Sequence, residues 1–389
     1  VTAYLYDAVR TPRGKARPGG GLAGVTPLAM LEKLLHGLRE RTGVERADDM
    51  VVGCASQNGD QGGNLARTAA LTAGFDTPGM TVNRYCTSGV DAIRTAFALV
   101  ESGQGDAVIA GGVESVSRVP MFSDGGPLWA DPAVVDKVGS IHMGIAADVV
   151  ATAEGFGREE LDAYGLRTQT LAARAWAAGR YERSLLPVND LRHDEHVRPG
   201  LTLEAFTAMA PAFAGQDDQD AIVRRHRPDL GEIRHLHTRG TSPSLCDAAG
   251  LVLVGSERAA TALRTPPRAR IVATATAATD PVTMLTAGQL AVERVVAGAG
   301  LTPDDVEVYE FAEAFAALCL KFQRDLGVGD DRFNVNGGTI AMGHAFGATG
   351  ALLVAACLDE LDRRRARYGV AAVSGAAGSG SAILLERVG

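Results

Sequence analysis

The chain repeats its own plan. Two distant segments, VNRYCTSGVDAIRTA around Cys86 and NVNGGTIAMGHAFGATGALLVAACL around His344, each put a reactive side chain at the start of an Ala-rich helix. Each carries a glycine three residues on, Gly89 and Gly347. Both helices lead into buried strands that close on glycines, AVIAGG (107–112) and VAAVSG (370–375). Upstream, a helix ending at Gly43-Val44 precedes Asp48-Asp49 and the strand MVVGCA. Its counterpart ends at Gly300-Leu301 and precedes Asp304-Asp305 and the strand VEVYE. A repeat this long predicts two diverged copies of one unit, with Cys86 and His344 at equivalent points.

The chemistry follows from those points. A short strand, Met80 to Val82, runs into the Cys86 helix, whose first N–H groups are unpaired and carry partial positive charge. A thiol held there ionises more readily and becomes a nucleophile; the alternative is a buried core cysteine. A histidine, a second residue of catalytic type, stands on the matching helix start.

Residues 1–118 alternate wholly apolar strands with amphipathic helices, the pattern of a parallel or mixed sheet covered on both faces, and residues 268–389 repeat it from RARIVATATAA. Between them, 119–245 is rich in Pro, Gly and charge, with a weak strand signal. It reads as an insertion lying over the site. SLCDAAGLVLVGSERAA (244–260) then returns to the first half. The expected division is 1–118 plus 246–267, the insertion 119–245, and 268–389. A length of 389 residues allows two to three cores.

No apolar run spans a bilayer, and VTAYLYDAVRTP opens as a strand without a basic-then-apolar leader. Five cysteines without CxxC spacing fit a reduced, cytoplasmic setting. A net charge of −8 argues against nucleic-acid binding. The local run Arg224-Arg225-His226-Arg227, with Arg234 and Arg239, is either a solvated surface or an attraction for a phosphorylated ligand. His235 and His237 lack a third ligand, so no metal site is expected.

Cys86 in VNRYCTSG, GGVES (111–115), HMGIAADVVA (142–151), DEHVRP (194–199), EAFAA (313–317) and NVNGG…GHAFGATG (334–350) together resemble the thiolases, in order and over nearly the whole chain. The resemblance implies a duplicated α/β fold: two βαβαβαββ-type halves in five αβαβα layers, with an inserted loop domain. It implies an acyl-CoA C-acyltransferase of the fatty-acid-oxidation type, which cleaves 3-ketoacyl-CoA by thiolysis, or condenses in reverse, through an acyl-Cys86 intermediate. On this resemblance His344 deprotonates the thiol, and the N–H groups of Cys86 and Gly380 form an oxyanion hole. His142 and Met143 lie beside the pantetheine, Arg198 near the nucleotide, Phe213 as an apolar wall, and Ala314 and Phe315 near the thioester. Coenzyme A is a substrate and no cofactor is permanently bound. A homodimer or homotetramer is implied, with a hydratase/dehydrogenase subunit as a possible partner.

Three positions depart from the family. Counting back from Glu386, the second catalytic cysteine is Ser374, a far weaker acid and hence a poor carbanion-forming base. The usual Asn (or His) before EAF is Ala312, and the Pro after the histidine is Ala345. The first two affect only the carbon–carbon half-reaction. They open an alternative: a thiolase-fold acyltransferase or thioesterase that passes the acyl group to a non-carbon acceptor. Cys246 is a candidate replacement thiol.

Overall fold

The computed structural model describes all 389 residues, Val1–Gly389. Ten strands form the framework: β1 (Tyr4–Arg10), β2 (Gly14–Lys15), β3 (Asp49–Gly53), β4 (Met80–Val82), β5 (Ala107–Glu114), β6 (Cys246–Gly255), β7 (Ala269–Ala278), β8 (Val308–Phe311), β9 (Tyr368–Gly375) and β10 (Ser379–Arg387). Their order is β4-β3-β5-β6-β1-β7-β10-β9-β8, with β2 on β6. Read outward from the β1–β7 junction, the two halves repeat: β1, β6, β5, β3 on one side and β7, β10, β9, β8 on the other. In both, β3/β5 and β8/β9 pair parallel, and β6 and β10 run antiparallel to their neighbours. The two half-sheets pair edge to edge where Tyr4 and Leu5 meet Arg270 and Ala269.

Helices Pro27–Thr42 and Leu65–Thr72 cover the outer face of the first half, and Ala287–Gly298 and Ala316–Leu326 that of the second. Helices Ser88–Glu101 and Phe346–Arg364 lie between the two half-sheets and share one core with both. The result is five layers, αβαβα, as expected. The repeat differs in one detail. The counterpart of β4 shrinks to a single bridge between Tyr309 and Phe333. There the Asn334 amide bonds both the N–H and the C=O of Phe311, doing for the edge of β8 what a strand would do.

The matched glycines fix how closely the central helices cross. A Cβ on Gly89 would sit 2.6 Å from the Gly347 carbonyl oxygen, and one on Gly350 2.5 Å from the Val90 nitrogen. Neither position has room for a side chain, so the two helix starts meet backbone to backbone. Between β5 and β6 the chain forms helices and loops but no strand, including the helices Met143–Glu154, Arg158–Ala177 and Asp217–His226. No helix is long and apolar enough to cross a membrane.

Candidate active site

Three strained residues ring the crossing point. Tyr85 (φ 52°), just before the thiol, Phe346 (φ 33°), just after the histidine segment, and Ala377 (φ 57°), in the β9–β10 turn, all take left-handed backbone without being glycine. Such conformations cost about 1–3 kcal/mol each and persist where surrounding structure enforces them. Here they aim Cys86, the His344 segment and the turn at one place.

Cys86 is 4% exposed and lines a small cavity of ≈ 40 Å³ with Tyr85, Met121, Phe122, Trp129, Met143 and Phe346. Burial and the Glu114 carboxylate push its thiol up to about 12, while the N–H groups of Ala376 and of Cys86 itself pull it down. The resting thiol is therefore protonated, and its proton must be taken by a base. His344 is buried, with its ring edge-on to Phe346 at 5.4 Å between centroids. Its Nδ1 pairs with Thr349 Oγ1 at 2.8 Å, and that hydroxyl also accepts the Ala345 N–H. Burial, helped by Arg13, lowers its pKa to about 4, so the ring is neutral at physiological pH and Nε2 has no protein partner. No hydrogen bond yet joins it to the thiol; such contacts commonly tighten only with substrate.

Glu114, the last residue of β5, ties the two segments. Its buried carboxylate accepts the N–H groups of Ala55 (2.9 Å), Ser56 (3.1 Å) and Gly347 (3.0 Å) and the Gln61 amide (2.7 Å). One side chain from the first half thus caps the helix that follows His344 in the second. GGVES signalled this residue, since an acid closing an apolar strand must find donors.

Two of the residues carried over from the resemblance are placed elsewhere. Gly380 lies within β10, opposite Ser374 and Ala277, with its α-carbon against the start of the Ala287–Gly298 helix; the turn N–H that reaches the sulfur is that of Ala376. Ser374 faces the same outer helix: its hydroxyl donates to the Leu285 carbonyl (2.6 Å) and accepts the Gly288 N–H (3.0 Å). Strand alternation explains both. Gly375, one residue on, is the position whose Cβ would face Cys86, 3.5 Å from its nitrogen.

His142 and Met143 open the Met143–Glu154 helix, where His142 Nδ1 accepts the Gly144 N–H and burial lowers the imidazole pKa. Both line a second cavity of ≈ 270 Å³ that shares Phe122, Trp129, Met143 and Ala376 with the first. Phe213 packs on His142 and on Phe315, at 5.6 and 5.8 Å between ring centroids, and Ala314 is buried beside Phe315. Arg198 is exposed and lines neither cavity; Asp194 is bound instead to Arg10 and Arg13. Of the arginine run, Arg225 pairs with Asp136 and Arg227 with Asp229 and Asp280. His235 and His237 both bond Asp148, as a buried structural cluster, and no group of side chains forms a metal site. Cys246, the first residue of β6, is fully buried against Gly343 and Ala345 with its thiol pKa raised by burial. Ala312 is buried without a polar side-chain atom. The aromatic wall of Phe122 and Trp129 gave no sequence signal, since the insertion has no periodic pattern.

Comparison with known proteins covers the whole chain. The family described as thiolase, N-terminal domain, matches residues 3–218, and thiolase, C-terminal domain, matches 265–387. The chain is 36% identical to the beta-ketoadipyl-CoA thiolase of Escherichia coli, over 99% of both chains. It is 35% identical to the 3-ketoacyl-CoA thiolase of Pseudoalteromonas translucida, over 99% of this chain and 98% of that one. Among solved structures, human mitochondrial 3-ketoacyl-CoA thiolase superposes with a TM-score of 0.86 at 28% identity, covering 100% of this chain and 99% of the other. The Bacillus anthracis acetyl-CoA acetyltransferase gives 0.85 at 29% identity with the same coverage.

Proposed function

The chain belongs to the thiolase family, and we propose that Cys86 and His344 carry its acyl-CoA C-acyltransferase chemistry. The observation that supports this most is a buried, protonated thiol lining an apolar cavity, with a neutral imidazole on the matching helix start. In thiolysis, His344 Nε2 takes the thiol proton as the sulfur attacks the 3-keto carbon. The oxygen anion that forms is held by the N–H groups of Cys86 and Ala376. The C2–C3 bond then breaks, leaving acyl-Cys86 and the enolate of the departing thioester. With Ser374 bonded to the outer helix and Ala312 apolar, the imidazolium formed in the first step is the acid at hand for the enolate carbon. One proton thus moves from sulfur to carbon by way of His344. Coenzyme A then takes the acyl group, and condensation is the same path reversed.

Family membership over the full length favours a carbon acceptor over a non-carbon one. Coenzyme A enters as a substrate against His142, Met143 and Phe213, within the insertion 119–245. The test is intact-protein mass after exposure to acetyl-CoA and acetoacetyl-CoA, with product analysis. One acyl group per chain, mapped to Cys86, is expected, together with acetyl-CoA from acetoacetyl-CoA. Labelling at Cys246 or Cys319 would overturn the assignment. A two-fold dimer or tetramer is the assembly we propose, and a strict monomer by light scattering at micromolar concentration would contradict it.

A further inference from the structure

The repeat that matches Cys86 with His344 also matches Asp91 with Thr349, each two residues beyond its glycine. Both side chains reach back to the residue that follows the reactive one. Asp91 Oδ2 accepts the Thr87 hydroxyl at 2.7 Å, and Thr349 Oγ1 accepts the Ala345 N–H at 3.0 Å. At this point of the frame the first copy therefore carries a carboxylate and the second a hydroxyl. Only the second meets a reactive ring: Thr349 is fully buried, its Oγ1 lies 2.8 Å from His344 Nδ1, and it is the ring's one hydrogen-bond partner. A hydroxyl has one proton and two lone pairs. With one lone pair on the Ala345 N–H, the other must accept Nδ1–H whenever Nε2 takes or gives a proton. That acceptor is neutral. The charged and titratable groups around the segment offer the ring no anion: Arg13, bonded to Asp194, meets Met342 Sδ at 3.7 Å, His196 and Cys246 pack on Gly343, and Glu114 is spent on backbone N–H groups and Gln61. An imidazolium formed here is held in direction but gains no ion pair, in keeping with the fall of the His344 pKa to about 4 through burial and Arg13.

Resting on the thiolase reading, we propose that Thr349 is a positioning residue for the carbon–carbon step, an uncharged acceptor that fixes the His344 ring by Nδ1 and leaves the Nε2 proton easy to pass to the enolate carbon. The proton leaves Cys86 Sγ for Nε2 as the S–C3 bond forms. When the C2–C3 bond breaks, its electron pair stays with C2 as the enolate, and Nε2–H then protonates C2 and returns a neutral ring. A carboxylate at Nδ1 would stabilise the imidazolium and hold that proton back. The distinction counts in this chain because Ser374 is bonded to the outer helix and Ala312 has no polar side-chain atom, so neither replaces the histidine as the acid. The first copy shows that the frame can hold a carboxylate at this point; the second carries none.

The test reads two rates in each variant: acyl-Cys86 formation from acetyl-CoA by intact mass, which needs no proton on carbon, and acetoacetyl-CoA cleavage, which does. Thr349→Val keeps the shape without the hydroxyl and should slow both by about 100-fold, the effect of a misaimed catalytic group. Thr349→Ser restores the hydroxyl and should recover at least about tenfold of that loss. Thr349→Asp should separate the rates, slowing cleavage at least about tenfold more than acylation. Its acylation should also fall as the medium drops from about pH 8 to 6, because a raised imidazole pKa leaves the ring protonated there, where the unmodified enzyme stays flat. Unchanged rates in Thr349→Val, or Thr349→Ser no faster than Thr349→Val, overturn the proposal and leave the thiolase reading intact. Equal slowing of both rates in Thr349→Asp, with no new pH dependence, overturns it as well. If Thr349→Asp does not fold, the Val and Ser pair decides. Absence of acyl-Cys86 and of cleavage in the unmodified enzyme overturns the thiolase reading and the proposal together.

Discussion

The two halves end their central strands differently. β5 closes on Glu114 and β9 on Gly375, both facing the middle layer where the catalytic helices start. The first half fills its place with a carboxylate that bonds across to Gly347; the second has only a glycine, packed against Thr87 and the Cys86 backbone. One copy of the repeat became the clamp and the other a bare backbone beside the thiol. Duplicated frames diverge most where a single side chain decides between holding and receiving.

The comparison breaks first at the helix starts. Cys86→Ala should abolish the acyl adduct in intact mass, and His344→Ala should slow its formation by about 100- to 10,000-fold. Equal losses of rate and of adduct in both variants would mean the halves do not divide nucleophile from base. Next comes the clamp. Glu114→Ala leaves four donors without their acceptor and should lower stability by about 3 kcal/mol or more in urea unfolding. Glu114→Gln keeps part of the network and should cost less.

Gly375 gives the third effect. Gly375→Cys puts a thiol toward Cys86 and should raise acetoacetyl-CoA cleavage about tenfold relative to adduct formation. Ser374→Cys, turned to the outer helix, should not. A reversal of that pair would show that β9 shifts by one residue when substrate binds. The smallest effect is an absence of change. With His344 lowered to about 4 and Cys86 raised to about 12, thiol and neutral base coexist throughout the range between. Acylation should therefore vary less than about threefold from pH 6 to 8 and fall only as the medium approaches pH 4. Unshifted groups would instead show inflections near 6.5 and 8.5.

Much of this was legible in the chain. Glycine spacing around Cys86 and His344 announced the duplication; the crossing those glycines permit became visible only in the structure. What failed was parity. Counting back from Glu386 reached the correct stretch of β9, yet a pleated strand reverses its side chains at every residue. Ser374 and Gly380 therefore fell on the outer face, while Gly375 and the Ala376 N–H fell on the inner one. Arg198 stands exposed on a loop outside both cavities, where no local pattern fixes its partner. Phe122 and Trp129 were silent because isolated aromatics in an aperiodic insertion have no period to reveal a wall.

The strand order has a consequence for synthesis. β6, the partner of both β1 and β5, lies beyond the whole insertion, so the first sheet cannot close until residues 246–255 have emerged. Such long-range pairing forms late. His344 emerges later still, and Glu114 gains Gly347 only then. On the proposed roles, a half-made chain thus holds a thiol without its base, and reactivity waits for the second copy to dock onto the first.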